Sequence, residues 1–509
     1  MKYFQQSYLQ MLKGMLGAML LIGMLLPWGV KAAGVSSPLD LATVPLANSP
    51  TITIQPNLLF VLDDSGSMGW DYMPDWAGDN IAWRHKNAAY NTVAYNPEIR
   101  YLPPAFFDAG GLNTTQYPSQ AGVSAATGAN TSSGLPNWER VKRDAYLGAT
   151  VDDLTNNAFY FHTVAGEYCT EPDLKSCVAQ LAPSATHPFA APVRWCKTSA
   201  NANAVNPPAD SCQSTRKTGF TNLRTRSWRT STITVSNGSG GNTRANGITV
   251  DGQQIMSGAT SNFNNNNNLA AAIAEKINDC SDAMTGNCTV PGYFASVSGS
   301  TVYLHTPALA TGLPTIVSAT PSVSKTGGRN ITSSAFTSNT HPGQIYMVRI
   351  DPANSSYALP GTAIKAASRT DCTGITCTYA EEMTNYANWY TYYRTRMQTM
   401  KTAASIAFKD VGEDFKVGLM TINTTSAKSL NLATFNTAQK AAWYSKFFSI
   451  NPSGGTPLRG ALAKAGRIFA KKENVGGVFT DPIEYSCQQN FTLLTSDGFW
   501  NGSDSLVID

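Results

Sequence analysis

The 509 residues carry few charges, 14% Asp, Glu, Lys and Arg, with a net charge of only +4. So small an excess over so long a chain argues against a nucleic-acid surface. Polarity comes instead from Asn, Ser, Thr and Gly, which fits an extracellular, loop-rich protein, and the length is a prior for roughly three or four domains.

Residues 1–32 read as a secretory signal. Lys2 and Lys13 supply the positive region, Met15 to Leu26 the apolar run, and Val30-Lys31-Ala32 the cleavage site. The run is short for a membrane span, and no later stretch is long enough, so no transmembrane segment is expected. A Pro, Ser and Thr-rich leader, 33–54, follows.

Asn57-Leu58-Leu59-Phe60-Val61-Leu62 is an apolar run of the kind buried on both faces of a parallel sheet. It ends in Asp63-Asp64-Ser65-Gly66-Ser67, an Asp-x-Ser-x-Ser loop. Open α/β sheets place binding crevices at such strand ends. A carboxylate and two hydroxyls are hard oxygen donors, suited to Mg²⁺, Mn²⁺ or Ca²⁺. Neutral hydroxyls under-neutralise the ion, which then seeks an anionic ligand from outside.

Residues 71–384 show no sustained helical period and read as an insertion between the first strand and the first helix. Nine cysteines fit an oxidising compartment. Eight fall as close pairs: Cys169 and Cys177, Cys196 and Cys212, Cys280 and Cys288, Cys372 and Cys377. Neighbour pairing is the simplest arrangement, and the sequence leaves the connectivity open; Cys487 is left over. No pair has Cys-x-x-Cys spacing. Disulfides are expected to staple these loops in place of a large core. Within them, 228–307 reads as a small α+β subdomain. Its strands are 231–235 and 248–250, its helix 269–277, and its hairpin joins 294–297 to 301–304.

After Glu381, the spacing of Trp389, Tyr393, Met397, Met400, Ala404 and Phe408 predicts one amphipathic helix of about six turns. Phe415 to Ile422 reads as a strand, 429–432 as its hairpin return, and 437–450 as a helix. Gly454-Gly455-Thr456-Pro457 puts a hydroxyl at a helix start, with Pro457 at the first helical position. Asn490 to Thr495 reads as another buried strand, ending at Asp497.

A doubly wound sheet would gather Asp63, Ser65, Ser67, Thr456 and Asp497 in one strand-end crevice. This set resembles the metal-ion-dependent adhesion site of von Willebrand factor A domains. The resemblance implies that the two serines, and sometimes Thr456, touch a divalent cation directly, Mg²⁺ first among candidates. The two Asp would act through waters. The expected fold is thus α/β, a Rossmann-like von Willebrand factor A domain over 55–70 and 385–509, incomplete at its C-terminus. The 71–384 insertion, irregular and α+β with disulfides, interrupts it.

The long Cys-containing insertion, Asn388-Trp389-Tyr390-Thr391-Tyr392-Tyr393-Arg394, the Thr-Pro-Leu-Arg turn and Thr495-Ser496-Asp497-Gly498 together look like the N-terminal part of the PilY/PilC family. That resemblance implies type IV pilus biogenesis with minor pilins at the pilus tip, adhesion to a host-cell or surface receptor through a carboxylate, and surface sensing. The implied location is beyond the inner membrane, in the periplasm, on the outer membrane or at the pilus tip. The family also carries a C-terminal β-propeller that these residues lack, so a fragment is expected. The alternative is a secreted von Willebrand factor A adhesin unrelated to pili. An enzyme is not expected: there is no Gly-x-Ser-x-Gly, no phosphate-binding Gly-Lys-Ser/Thr, and no histidine beside a nucleophile. Asp64 reads as a spare carboxylate.

Overall fold

The computed structural model describes residues 54–78, 82–113, 138–148, 150–155, 157–224, 229–283, 287–289, 293–306, 308–309, 319–337, 344–498 and 501. The signal and all but the last residue of the leader lie outside them.

Strand β1 (Asn57–Leu62) is the centre of the fold. Its alternate side chains enter two different cores, as the period-2 geometry of a strand dictates. Phe60 and Leu62 join one cluster and Leu59 and Val61 another. Full burial of each such side chain stabilises by roughly 1.5–3 kcal/mol.

The intervening chain forms β2 (Phe159–Val164), β3 (Arg229–Val250), α1 (Asn266–Ala283), β4 (Phe294–Ser298), β5 (Thr301–Thr306), β6 (Ser322–Ser333) and β7 (Gln344–Arg349). Then come α2 (Tyr379–Tyr392), α3 (Arg396–Phe408), β8 (Lys416–Thr421), β9 (Leu430–Thr434), α4 (Thr437–Ser449), α5 (Leu458–Phe469) and β10 (Asn490–Leu494).

The main sheet runs β9-β8-β1-β10. β8 and β10 lie parallel to β1 on its two sides, and β9 is an antiparallel edge. Residues of α3 and α4 pack in the cluster around Phe60 and Leu62, where the Phe60 ring meets Phe408, Trp443 and Phe447 edge-on at 5.4–5.8 Å. Those of α5 pack with Leu59 and Val61. The chain leaves β1 for one neighbour and later returns to the other, so the topological switch point falls at the C-terminal end of β1.

Three sequence expectations change. The six-turn helix is two helices. Thr395 caps α3 in a reciprocal box with Gln398, and this turn breaks the run after Tyr392. α2 is buried almost all round, including Glu382, Asn385 and Asn388, because its polar side also packs against protein. Glu382 accepts hydrogen bonds from Tyr95 and Arg369 at 2.8 and 2.7 Å. The strands expected at 231–235 and 248–250 are parts of one long strand, β3, which pairs with β6 through several register shifts. Finally, β10 is not a buried strand: Phe491 and Leu493 are exposed.

The segment between β1 and α2 builds cores of its own. One lies between β3, β5 and α1, with Ile233, Ile248, Leu269, Ile273 and Leu304. Another gathers Tyr95, Tyr101 and Tyr160 against Tyr386 and Trp389 of α2. Its aromatic residues come from loops (Tyr95, Tyr101), from β2 (Tyr160) and from α2 (Tyr386, Trp389), so no single periodic pattern announces it. The four disulfides are Cys169–Cys177, Cys196–Cys212, Cys280–Cys288 and Cys372–Cys377. Cys487 is an exposed free thiol. The 167–224 loops also close on a buried ion cluster, in which Glu167 accepts from both Arg194 and Arg224.

Candidate metal centre

The loops that follow β1 and β10, and the one that precedes α5, meet at the switch point. Gly66 N–H donates to the Gly454 carbonyl at 3.0 Å, and Ser453 N–H to the Asp64 carbonyl at 2.6 Å. Asn501 clasps Thr456 from both sides, its N–H on the Thr456 carbonyl and its Oδ1 accepting from the Thr456 N–H. Pro457 stands at the cap of α5 and not at its first helical position; Thr456 is the residue before it and is buried.

Asp63 and Ser65 are buried. Asp63 Oδ1 accepts the Ser65 N–H at 2.8 Å, the local turn expected of an Asp two residues before its donor. Ser65 Oγ and Ser67 Oγ are 3.1 Å apart, and the Ser67 hydroxyl donates to Asp497 Oδ1 at 3.2 Å. Asp63, Ser65, Ser67 and Asp497 are therefore one connected group, and the Gly66–Gly454 bond brings the Thr456 loop against it.

Asp63 Oδ2 is buried without a hydrogen-bond partner among the described residues. An unpaired buried carboxylate oxygen is costly unless a cation or donor meets it. A hard divalent ion fits that vacancy of interaction and the hydroxyls beside it. In this geometry Asp497 aims the Ser67 hydroxyl proton at itself, leaving the oxygen lone pairs for an ion.

Two neighbours were not legible. Arg396, at the first turn of α3, binds Asp497 Oδ2 through Nη1 at 2.6 Å and Asp75 Oδ1 through Nη2 at 2.7 Å. Its Nε donates to the Tyr72 carbonyl, and its guanidinium lies over the Trp70 and Tyr72 rings. A charged residue opening a helix otherwise read for its apolar stripe was the available signal. Asp64 is not spare: its Oδ1 accepts the Asn423 N–H at 3.0 Å, and its Oδ2 pairs with Lys428. It ties the Asp63–Ser67 loop to the loop after β8.

By sequence comparison the chain is similar, over part of its length, to proteins of the PilY/PilC family. It is similar to the type IV pilus biogenesis factor PilY1 of Pseudomonas aeruginosa PAO1, 30% identical over 176 residues, which are 30% of this chain and 15% of that protein. It is also similar to PilY1 of strain PAK, 33% over 144 residues (25% and 12%), and of strain UCBPP-PA14, 34% over 125 residues (23% and 11%). The aligned part thus spans less than a sixth of the curated relatives' length. No family model matches the chain, and no solved structure matches it.

Proposed function

We propose that this chain serves type IV pilus biogenesis outside the inner membrane, through a von Willebrand factor A-type domain that binds a partner's carboxylate on a divalent cation. The observation that carries the reading is the orphaned Asp63 Oδ2, buried beside the linked hydroxyls of Ser65 and Ser67. The relatives' names supply the pilus context. Ser65, Ser67 and Thr456 would hold the ion, with Asp63 and Asp497 orienting them; the ion would supply a Lewis-acidic anchor for an incoming carboxylate. The partner carboxylate belongs to a minor pilin of the tip complex or to a surface receptor, and adhesion and surface sensing follow from that contact. A binding role is the reading proposed for these residues, whose serine hydroxyls bond each other and Asp497. No helix among the described residues is long and apolar enough to cross a membrane.

The test is complementation of a strain deleted for the gene. The native sequence restores surface pili and surface attachment. Asp63→Ala, exported at the same level, fails to restore attachment. Full restoration by Asp63→Ala contradicts the metal reading. Normal piliation in the deleted strain favours instead a secreted adhesin unrelated to pili.

A further inference from the structure

The candidate metal centre has an aromatic neighbour, and its role rests on the metal reading above. Among the described residues of the three loops at the switch point, Trp70 is the large apolar side chain left in water, 39% exposed. It follows directly on the short turn Gly66–Gly69, which carries Ser67. Exposed aromatic rings of this kind are the usual anchors of a protein interface.

The indole is held in place. The Trp70 backbone N–H donates to the Ser67 carbonyl at 3.0 Å, and the Trp70 carbonyl accepts the Arg396 N–H at 3.1 Å. The ring stacks on Tyr72, with centres 5.0 Å apart and planes 18° from parallel. Tyr72 in turn lies against Gly78, where a Cβ would stand 2.5 Å from two of the Tyr72 ring carbons. A ring fixed in advance loses little freedom when a partner meets it.

Arg396 ties this pair of rings to the site. Its Nη1 binds Asp497 Oδ2 at 2.6 Å, and Asp497 Oδ1 accepts from the Ser67 hydroxyl at 3.2 Å. Its guanidinium lies 4.9 Å from the Trp70 ring centre and 5.5 Å from that of Tyr72. Those two distances are nearly equal, so the cation stands beside the stack and does not cover the outer face of Trp70. Asp497 and Asp75 already pair with this one cation, which leaves it no charge for an incoming anion. A second cation on the indole would meet Arg396 at close range and be repelled. A neutral ring suits the place best, since aromatic pairs gain beyond the area they bury.

We propose that the segment whose carboxylate reaches the ion carries an aromatic side chain two residues away, packed on the outer face of Trp70. In an extended segment, residues two apart point to the same side and stand about 7 Å from each other. One side chain then faces the ion site while the other crosses Asp497 and Arg396 to the indole.

Four capped heptapeptides test this on the full chain. They are Gly-Phe-Gly-Glu-Gly-Phe-Gly, its analogues with Ala or Lys in place of both Phe, and its analogue with Gln in place of Glu. Saturation-transfer NMR titrations follow each in Mg²⁺ and in EDTA. In Mg²⁺ the Phe–Glu peptide binds about fivefold more tightly than the Ala–Glu peptide, the gain of one aromatic pair. Transfer is strongest on its ring protons, and EDTA or the Gln replacement removes the binding. In Trp70→Ala the ratio between the Phe–Glu and Ala–Glu peptides falls to about one. Should that variant fail to fold, the peptide comparison on the native chain decides alone. Mg²⁺-dependent binding that is equal for Phe and Ala, or stronger for Lys, overturns the proposal and leaves the metal reading standing. So does an undiminished ratio in folded Trp70→Ala. Absence of Mg²⁺-dependent binding by every glutamate peptide overturns both.

Discussion

Arg396 Nη1 lies 2.6 Å from Asp497 Oδ2, joining the start of α3 to the loop after β10. Both side chains are nearly fully buried, and the same guanidinium holds Asp75. The pair places a fixed positive charge at the edge of the proposed ion site. Arg396 is thus a positioning residue: it holds Asp497, which orients Ser67. Arg396→Gln leaves a buried carboxylate uncompensated and should cost about 3–5 kcal/mol without metal. It should also raise Mg²⁺ affinity, since a competing cation is gone. Thermal melts with and without Mg²⁺ check this: the variant should gain more from the ion than the native chain. Arg396→Lys should not restore stability, because one ammonium does not span both carboxylates. Equal Mg²⁺ responses would remove Arg396 from the site.

Much of the sheet was readable because β1 and β8 are continuous apolar runs, which only a doubly covered strand tolerates. The grouping of Asp63, Ser65 and Ser67 was readable because they share one loop. Arg396 was not, since its role depends on a turn that Thr395 and Gln398 impose three-dimensionally. Nor was the exposure of Phe491 and Leu493 readable: their pattern is that of a covered strand, and only the neighbouring elements decide whether it is covered.

Among the described residues β10 pairs with β1 alone, so its other edge is open there, and Phe491 and Leu493 face out while Leu494 packs inward. Such an edge recruits further strands. Leu493→Lys should lower the light scattering of concentrated protein without lowering its melting temperature. Unchanged scattering would show that the edge is already protected.

The disulfides make a separate prediction. In the chain-entropy model, closing a loop of about 15 residues contributes roughly 3 kcal/mol. Cys196–Cys212, with a separation of 16 in sequence, is the longest of the four. Cys196→Ala with Cys212→Ala should speed amide exchange in the 195–223 loops and leave β1 and β8 protected. Mass spectrometry of unreduced peptides should recover the four local pairs; mainly free thiols would contradict the fold of this segment.

Acid should weaken the subdomain around β5. Burial pushes the His305 imidazole down to about 3, and its ring nitrogens meet Thr230 and Ser296 hydroxyls at 3.2 Å. The folded state resists the proton that the unfolded chain accepts near pH 6.5. The stability this site contributes is therefore complete above pH 6.5 and falls as pH drops toward 3, by at most about 1.4 kcal/mol per unit. Denaturant melts from pH 7 to pH 4 should show the loss, and His305→Gln should flatten it. An identical slope in the variant would assign the acid sensitivity elsewhere.

The central claim is that the buried Asp63 oxygen awaits a divalent cation. Calorimetric titration of Mg²⁺ into the native chain and into Asp63→Asn tests it most directly. Asp63→Asn keeps an oxygen for the Ser65 N–H while removing the charge that burial penalises, so the variant should be at least as stable as the native chain without metal. The account predicts saturable binding near one ion per native chain, abolished by EDTA, and none in the folded Asp63→Asn variant. Titrations that show no binding to the native chain, or equal binding to both proteins, would contradict it.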